Sequence, residues 1–334
     1  MEETHACCHQ RQPWYREPLF VIGAVIFITF ITHLTLLLFG STLLSPLFRT
    51  FWQYLKLTWW AILLGLAIGG LIEVLIPPEF MVNLLARGRR SIIIAVFLGF
   101  LASACSHGIL AIAVSLYKKG ASTASTLTFL LASPWANLSI TFLLLSLFGS
   151  KALFIIGGAL VVALISGFIF QILEDKGLIE GAKLRPRRGK IVWHFPGLKV
   201  LIFGVFKSVW DLAKMVVWWI LLGFFLASVL GAYIPERIFH QFFGPTILGM
   251  LATLVLASII EVCSEGSSPL AFELYKQTGA FGNAFVFLQA GVVTDFTEVG
   301  IVLTNIGKRA ALALVLVTVP LVLLLGFLFN TLIL

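Results

Sequence analysis

The sequence predicts an all-α polytopic membrane protein, in which an N-terminal anchor helix precedes two homologous repeats that contain re-entrant or broken helices. Hydrophobic residues make up 60% of the 334 residues and charged residues only 11%, which is far from the composition of soluble proteins. Apolar segments of about twenty residues recur along the chain, as a bilayer core of roughly 30 Å requires. The third observation is that the chain matches itself at a constant offset.

The order of polar and apolar segments divides the chain into five parts. Residues 1–17 form a soluble leader, and the apolar run 18–40 is interpreted as a retained anchor helix. This run is too long for the apolar region of a signal peptide, and no small-residue cleavage site follows it. The first transmembrane repeat spans 41–173, a basic cytoplasmic linker spans 174–198, and the second repeat spans 199–334.

The two repeats align without a gap at an offset of 158 residues. "FRTFWQYLK", which begins at Phe48, matches "FKSVWDLAK", which begins at Phe206. Internal repeats are typical of transporters, whose substrates bind near mid-membrane at the repeat interface. The same offset pairs Trp60 with Trp218, Gly65 with Gly223, Cys105-Ser106 with Cys263-Ser264, Gly108 with Gly266, Asn137 with Asp295, and Gly149 with Gly307.

Each repeat therefore carries one Cys-Ser-x-Gly motif inside an apolar run. Gly108 and Gly266 free the backbone to turn there, and the exposed N–H and C=O groups must be satisfied by protein or by a water-filled cavity. A short helix that begins at such a turn presents free N–H groups and the positive end of its dipole. We expect Ser106 and Ser264 to cap these helices, and Pro269 to lie in the first turn of the second one.

Two thiols at matched turns predict a site for a soft ligand. A single buried cysteine usually packs as a small hydrophobe, but Cys105 and Cys263 both precede Ser-x-Gly. Two thiolates bind a thiophilic centre such as trivalent arsenic or a d10 metal ion. His107 is either a third ligand, a proton carrier or a hydrogen-bonded core histidine, and Glu265 occupies the matching position. With Asn137, the residues of both motifs form the predicted substrate site.

Carboxylates are concentrated in the second repeat. Intramembrane carboxylates commonly serve proton relays or cation sites, so we predict that those of the second repeat couple transport to protons. Glu273 is expected near the exit of the second hairpin, in contact with solvent. The predicted proton-coupling residues are Glu261, Glu265, Asp295 and Glu298, which correspond to Ser103, His107, Asn137 and Ile140 of the first repeat.

The positions of the 23 Lys and Arg residues favour inverted repeats, because cytoplasmic loops carry the excess of basic residues. If both Cys-Ser-x-Gly segments dip into the membrane and return, only five basic residues lie outside. This model has seven crossings of the inner membrane, a cytoplasmic N-terminus and an external C-terminus. Nine full crossings with parallel repeats are the alternative. The five external residues of the re-entrant model are Arg49, Lys56, Lys151, Arg237 and Lys276.

Other features narrow the class of function. The net charge of +8 comes from basic residues scattered between apolar segments, so no nucleic-acid surface is predicted. The four cysteines do not form a disulfide framework, and no P-loop occurs. The leader contains "HACCH" (5–9), which could hand a soft metal to the pore, although on a flexible leader an incidental cluster is the simpler interpretation. No cofactor is predicted.

The paired motifs resemble those of the predicted-permease family that includes the ArsP organoarsenical efflux permeases. The resemblance rests on "CSHGILAIAVSLYKKGAS" with "FLLASPWAN", and on "EVCSEGSSPLAFELYK" with "NAFVFLQAGVVTDFTEVG". It implies efflux across the inner membrane, with trivalent organoarsenicals as substrates and with Cys105 and Cys263 in binding. Members often have Cys-Ser-Cys-Gly in the first motif, where this chain has His107, and a proline where it has Ala111.

The leading hypothesis is a secondary-active exporter of a thiophilic solute, held by Cys105 and Cys263 near mid-membrane and driven by protons. The alternative is a transporter of a small anion that binds at half-helix N-termini, with the cysteines as packing residues. An intramembrane thiol enzyme is a weaker hypothesis, because no third group orients Cys105 and His107, and we expect no enzymatic activity. The expected partners are the solute, protons and membrane lipids, while the oligomeric state stays undetermined.

Overall fold

A computed structural model describes residues 18–75, 85, 89–101, 106–181, 198–260 and 262–333, and this part of the chain is helical. The first half contains α1 (Pro18–Leu38), α2 (Ser45–Leu75), α3 (Arg89–Leu101), α4 (Ser106–Lys118), α5 (Thr123–Ala136), α6 (Leu138–Phe148) and α7 (Ala152–Asp175). The second half contains α8 (Leu198–Tyr233), α9 (Glu236–Phe243), α10 (Ile247–Ile259), α11 (Ser264–Thr278), α12 (Phe281–Val293), α13 (Phe296–Asn305) and α14 (Lys308–Leu332).

The prediction of an all-α polytopic membrane protein is confirmed. Within the described residues, 6 stretches are long and apolar enough to cross a membrane, or 7 if the bent pair α9–α10 is counted as one span. The leader and residues 182–197 of the linker lie outside the described residues, and α7 extends through Glu174 to Asp175. The 6 stretches are 18–38, 45–72, 138–175, 201–233, 281–305 and 308–332.

The helix boundaries keep the offset that the sequence comparison detected. Helices α3, α4, α5 and α6 begin at 89, 106, 123 and 138, and α10, α11, α12 and α13 begin 158 residues later at 247, 264, 281 and 296. The breaks between helices, as well as the residue types, therefore recur in the two halves.

Helices α2 and α8 occupy matching positions in the two halves and pack side by side in opposite directions. Phe51, near the start of α2, places its ring centroid 6.3 Å from that of Phe224 in the last third of α8. Further along α2, Gly70 lies against Val209 in the first third of α8, and a Cβ on this glycine would be 2.9 Å from the Val209 backbone nitrogen. A residue later in α2 thus contacts a residue earlier in α8, so the two helices are antiparallel.

Helices α5 and α12 also occupy matching positions in the two halves, and their contacts with α7 show that they run in opposite directions. At the C-terminal end of α7, Glu174 Oε2 accepts a hydrogen bond of 2.9 Å from the backbone N–H of Ala124, at the start of α5. At the N-terminal end, Lys151 Nζ lies 5.9 Å from the ring centroid of Phe281, the first residue of α12. The matched helices α5 and α12 therefore begin at opposite ends of α7.

Helices α10 and α11 form a hairpin whose two ends lie at the same level. Asn283, in the first turn of α12, donates from Nδ2 to the carbonyl oxygens of Phe243 at 2.8 Å and Gly244 at 2.9 Å, just before α10. Only Gly279 and Ala280 separate α11 from α12. The hairpin therefore returns to the end of the molecule from which it started.

Helices α3 and α4 have the same arrangement in the first half. The backbone N–H of Ser122, which follows α4, donates to the carbonyl of Leu85 ahead of α3 at 3.4 Å. One turn later, the hydroxyl groups of Ser91 in α3 and Ser125 in α5 are 2.7 Å apart. The chain thus leaves α4 at the level where it entered α3.

The segment after α7 ties both halves together at the linker end of the molecule. Glu180 accepts hydrogen bonds from the backbone N–H groups of Arg309 (3.0 Å) and Ala310 (2.8 Å) at the start of α14. Partial burial raises the pKa of Glu180. The hydrogen bonds that its carboxylate accepts, including one from its own backbone N–H group, and the positive charge of Arg309 have a larger, opposite effect, so the pKa is lowered overall. A lowered pKa means that the ionised carboxylate stabilises this junction at neutral pH, and that the contribution is lost as the pH falls through the folded-state pKa.

Candidate substrate site

Helix α11 begins within the membrane-spanning part of the molecule rather than at one of its ends. Its first turn packs on α8 at Gly223, ten residues before α8 ends at Tyr233. At 1.5 Å per residue this is about 15 Å, or half of a bilayer core of roughly 30 Å. A Cβ on Gly223 would overlap the carbonyl oxygen of Gly266, and a Cβ on Gly266 would lie 2.8 Å from the carbonyl oxygen of Trp219. The two glycines therefore permit the backbone contact that holds the start of α11 at this depth.

The second Cys-Ser-x-Gly motif forms this buried helix start. Cys263 is the N-cap residue of α11, only 2% exposed, and its carbonyl accepts a hydrogen bond from the Ser267 N–H at 2.9 Å. Ser264 and Glu265 are 3% and 2% exposed, and the Ser264 hydroxyl donates to Glu265 Oε2 at 3.0 Å. The structure thus places a thiol, a hydroxyl and a carboxyl group at one half-helix N-terminus.

Two local predictions for α11 are wrong. Ser264 does not cap the helix, because Cys263 is the cap residue and the Ser264 hydroxyl is bonded to the neighbouring carboxylate. Pro269 is the sixth residue of α11 and lies beyond its first turn. The helix begins earlier than a proline-based boundary suggests, because the serine-rich segment before Pro269 is itself helical: the hydroxyls of Ser267 and Ser268 both donate to the Ser264 carbonyl.

Asn137 and Asp295 occupy matching helix breaks in the two halves. The Asn137 side chain caps α6 by accepting a hydrogen bond of 2.9 Å from the Ile140 N–H, and the Asp295 side chain caps α13 by accepting one of 2.8 Å from the Thr297 N–H. Both cap residues are buried, at 1% and 6% exposure. The same capping function is thus performed by a neutral amide in the first half and by a titratable carboxyl group in the second.

Several predicted site residues lie outside the described part of the chain. These are Cys105, Glu261 and the side chains of Ser106 and His107, while Gly108 is described as a half-buried residue in the first turn of α4. Among the described residues no group of three or more His, Cys, Asp and Glu could hold a metal ion. The predicted ligand set of Cys105, Cys263 and His107 therefore stays a prediction.

The buried carboxylates of the second half include one that the sequence analysis placed wrongly. Glu273 is fully buried, because it lies between three helices rather than at an exposed exit. The Tyr54 hydroxyl of α2 donates to Glu273 Oε2, and Gln277 Nε2 donates to Oε1 at 2.7 Å. A Cβ on Gly231 in α8 would overlap Oε1, so the missing side chain makes room for the carboxylate. Glu298, in the first turn of α13, is also buried, at 2% exposure.

Three further buried polar groups were missed by the sequence analysis. The indole N–H of Trp135, the hydroxyl of Ser133 and the amide nitrogen of Gln289 have no hydrogen-bond partner among the described residues. Their side chains are 1%, 0% and 3% exposed. Buried polar groups are normally hydrogen-bonded, so unsatisfied donors require an explanation. The only signals in the sequence were that Ser133 and Trp135 belong to "SPWAN" (133–137) and that Gln289 lies just before "GVVTDFTE" (291–298).

These groups lie in the C-terminal halves of α5 and α12, which meet near the middle of the molecule. The two helices start at opposite ends of α7 and pack against each other. With 14 and 13 residues they are each about 20 Å long, whereas the 24 residues of α7 span about 36 Å. Their C-terminal ends therefore overlap at mid-depth, at the level of the helix breaks at Asn137 and Asp295.

Comparison with known proteins identifies the family of this chain. A sequence model of the ArsP_1 family, described as predicted permease, matches residues 43–331. The chain belongs to this family of predicted permeases. A Streptococcus mutans protein described as a two-component membrane permease complex subunit is 26% identical to this permease over 242 residues, which is 70% of the chain and 78% of that protein.

A second relative is a Mycobacterium tuberculosis protein described as a permease. It is 25% identical to this permease over 241 residues, which is 64% of the chain and 59% of that protein. No solved structure matches the chain. The family and both relatives support a multi-pass membrane permease for a small solute.

Proposed function

We propose that this permease is a secondary-active exporter of a thiophilic solute such as a trivalent organoarsenical. The observation that carries the proposal is the buried Cys263 thiol at the start of α11, about half a membrane deep. A thiolate there is favoured by the positive end of the helix dipole and binds soft centres. Cys105, at the matching position of the first repeat, supplies the second thiol of the proposed site. This chemistry is binding and release, without an enzymatic step.

We further propose that the repeats are inverted and that the hairpins α3–α4 and α10–α11 are re-entrant. The antiparallel packing of α2 with α8 and the return of each hairpin to its starting level support this arrangement. It places the leader and the linker on one face and the C-terminus on the other. The basic linker assigns the first face to the cytoplasmic side of the inner membrane.

Accessibility of single introduced cysteines tests this topology. Arg90→Cys and Lys119→Cys flank the first hairpin and should react with an impermeant maleimide only from the cytoplasmic side. Arg237→Cys and Lys276→Cys flank the second hairpin and should react only from outside, because inversion exchanges the faces. Cys7 and Cys8 are replaced by serine in the background. Labelling of Lys119→Cys and Lys276→Cys from the same face would contradict inverted repeats.

Proton coupling is proposed to use the buried carboxyl groups of the second half, Asp295 and Glu265 foremost. Asp295 caps α13 with a carboxyl group that can titrate, whereas Asn137, its counterpart in the first half, caps α6 with an amide that cannot. Glu265 lies beside the proposed thiol site. Glu261 and Glu298 complete the proposed relay, in which carboxyl groups at mid-depth take up and release protons as the site changes sides.

Transport into everted membrane vesicles tests the function and its coupling together. A proton gradient should drive accumulation of a trivalent methylarsenical, and Asp295→Asn should remove the dependence on the gradient. Asparagine is an equally good N-cap, so this variant keeps the bond to Thr297 and replaces the carboxyl group with an amide that cannot titrate. Glu265→Gln should act similarly. Asn137→Gln serves as a comparison at the matching position of the first half, where no titratable group is lost and the remaining transport should stay gradient-dependent. Full gradient-driven transport in both carboxyl variants would exclude these two residues as carriers.

A small anion is the second candidate substrate, and one observation favours it. Trp135 and Gln289 offer buried N–H donors that no described residue satisfies, and such donors suit the oxygen atoms of an anion. In that case Cys263 would be a packing residue. Vesicles that accumulate an oxyanion but not the arsenical, with loss of uptake in Trp135→Phe, would support this candidate. The description of the Streptococcus mutans relative also suggests a second subunit as a partner, which copurification from the native membrane would identify.

A further inference from the structure

A cavity of about 490 Å³ opens between α3 and α7 at the linker end of the molecule. It is remote from the proposed substrate site, since it is lined by the first turns of α3 and the last two turns of α7. Six residues form its walls: Arg90, Ile93, Phe168, Gln171, Ile172 and Asp175.

The apolar wall of the cavity continues onto the outer surface of the protein. Ile93 is 45% exposed and Ile172 is 54% exposed, and Phe97, one turn further along α3, is 70% exposed. Large aliphatic and aromatic side chains with this exposure, in a chain that spans a membrane, face lipid acyl chains. The cavity is therefore accessible to a lipid from the side.

The polar wall carries groups of both signs. Arg90 provides an exposed guanidinium, and Asp175, at the last position of α7, provides a carboxylate. One turn before Asp175 on α7, Gln171 Oε1 is buried and accepts no hydrogen bond from any described residue. An unsatisfied buried carbonyl oxygen next to a carboxylate suits a donor with several N–H groups, while the guanidinium suits a phosphate.

We propose that this cavity binds a zwitterionic phospholipid with a primary ammonium headgroup, as in phosphatidylethanolamine. The phosphate pairs with Arg90, the ammonium donates to Gln171 Oε1 and Asp175, and one acyl chain follows Phe168 and Ile172. The depth fits, because the cavity lies at the junction of α7 with the basic linker, where headgroups lie.

The charge pattern distinguishes this lipid from the two other common headgroup types. Phosphatidylglycerol offers a phosphate and hydroxyl donors but no cation, so nothing in its headgroup would neutralise Asp175, and its net negative charge would lie beside that carboxylate. Phosphatidylcholine has a cation whose methyl groups replace every N–H donor, so it cannot donate to Gln171 Oε1. A bound lipid of the proposed type bridges the start of the α3–α4 hairpin to α7.

Lipid competition on the purified, full-length permease tests the proposal. The protein is delipidated in mild detergent and exposed to equal amounts of the three phospholipids, and the retained lipid is identified by native mass spectrometry. Phosphatidylethanolamine should be retained in preference to the other two. Arg90→Ala should lower its retention roughly tenfold, which is the effect of losing one charge-assisted hydrogen bond. Gln171→Leu should reduce the preference for ethanolamine over choline.

Arg237→Ala, at the opposite end of the molecule, is the matched control and should retain the lipid as the unaltered protein does. Preferential retention of phosphatidylglycerol, or equal retention of all three lipids, would overturn the proposal. So would unchanged retention of phosphatidylethanolamine in a folded Arg90→Ala protein. If that variant does not fold, the competition on the unaltered protein decides the question by itself.

Discussion

Cys263→Ser is expected to lower transport of a trivalent organoarsenical roughly tenfold or more, since at metal sites even substitutions of residues that only support the ligands reduce affinity or activity by about 10- to 100-fold. The proposed site uses the buried thiol at the start of α11 as a direct ligand of the soft centre. Serine fits the same space but has a harder and far less acidic oxygen. Initial rates of arsenical uptake into everted vesicles, normalised to the amount of folded permease, measure the effect.

Variants of the first motif show whether Cys263 acts alone or as one of a pair. Cys105→Ser and the double variant should lose as much transport as Cys263→Ser, because a two-point site fails when either point is lost. His107→Ala should have a smaller effect, and His107→Cys should preserve or increase arsenical transport. Normal arsenical transport by the serine variants would make both cysteines packing residues and leave the anion as the candidate substrate.

Gly223→Ala is expected to destabilise the permease by about 1–3 kcal/mol, the usual effect of overpacking a tight contact, and to abolish most transport. The added Cβ overlaps the carbonyl oxygen of Gly266, which belongs to the backbone of α11 and cannot move as a side chain can. Relief requires α11 to shift away from α8, and this shift displaces Cys263 and Glu265 with it. Thermal unfolding of the purified protein and vesicle transport measure the two effects.

Gly204→Ala, in the same helix, is the matched control. Its Cβ would meet only Val74, with methyl carbons at 3.7 and 3.8 Å, which is ordinary van der Waals contact. Alanine is the better helix former by about 1 kcal/mol, so this variant should be neutral or slightly stabilised. Equal effects of the two substitutions would show that helix propensity, and not the contact with α11, determines the outcome.

Properties that depend on local sequence were predictable. Hydropathy identified the membrane class, because every apolar segment of sufficient length must be buried in lipid or protein whatever its neighbours are. The constant offset between the repeats agrees with the positions at which their helices start, because similar sequences tend to form similar local structure. Asn137 and Asp295 were predicted as site residues at matching positions, and their side chains are of the type that caps a helix after a break.

The relative orientation of the two repeats was partly predictable from the sequence. Charge asymmetry between loops favoured inversion, since this asymmetry records how the chain was inserted into the membrane. The contacts between α2 and α8, and between the ends of α7 and the starts of α5 and α12, agree with that choice on independent grounds. The thiol pair stays a prediction, because Cys105 lies outside the described residues.

By itself, the sequence determined the membrane class, the duplication, the helix breaks and the polar motif at the start of α11, all of which follow from segments of a few to twenty residues. Only the tertiary structure decided that Glu273 is buried against Tyr54 and Gln277, and that Trp135 and Gln289 have no hydrogen-bond partner in the described part of the chain. The physical reason is that burial and hydrogen bonding of a side chain depend on which distant helix lies against it. Glycine contacts such as that of Gly223 with Gly266 set the distances between helices. A glycine in the sequence does not indicate which residue of another helix it will contact.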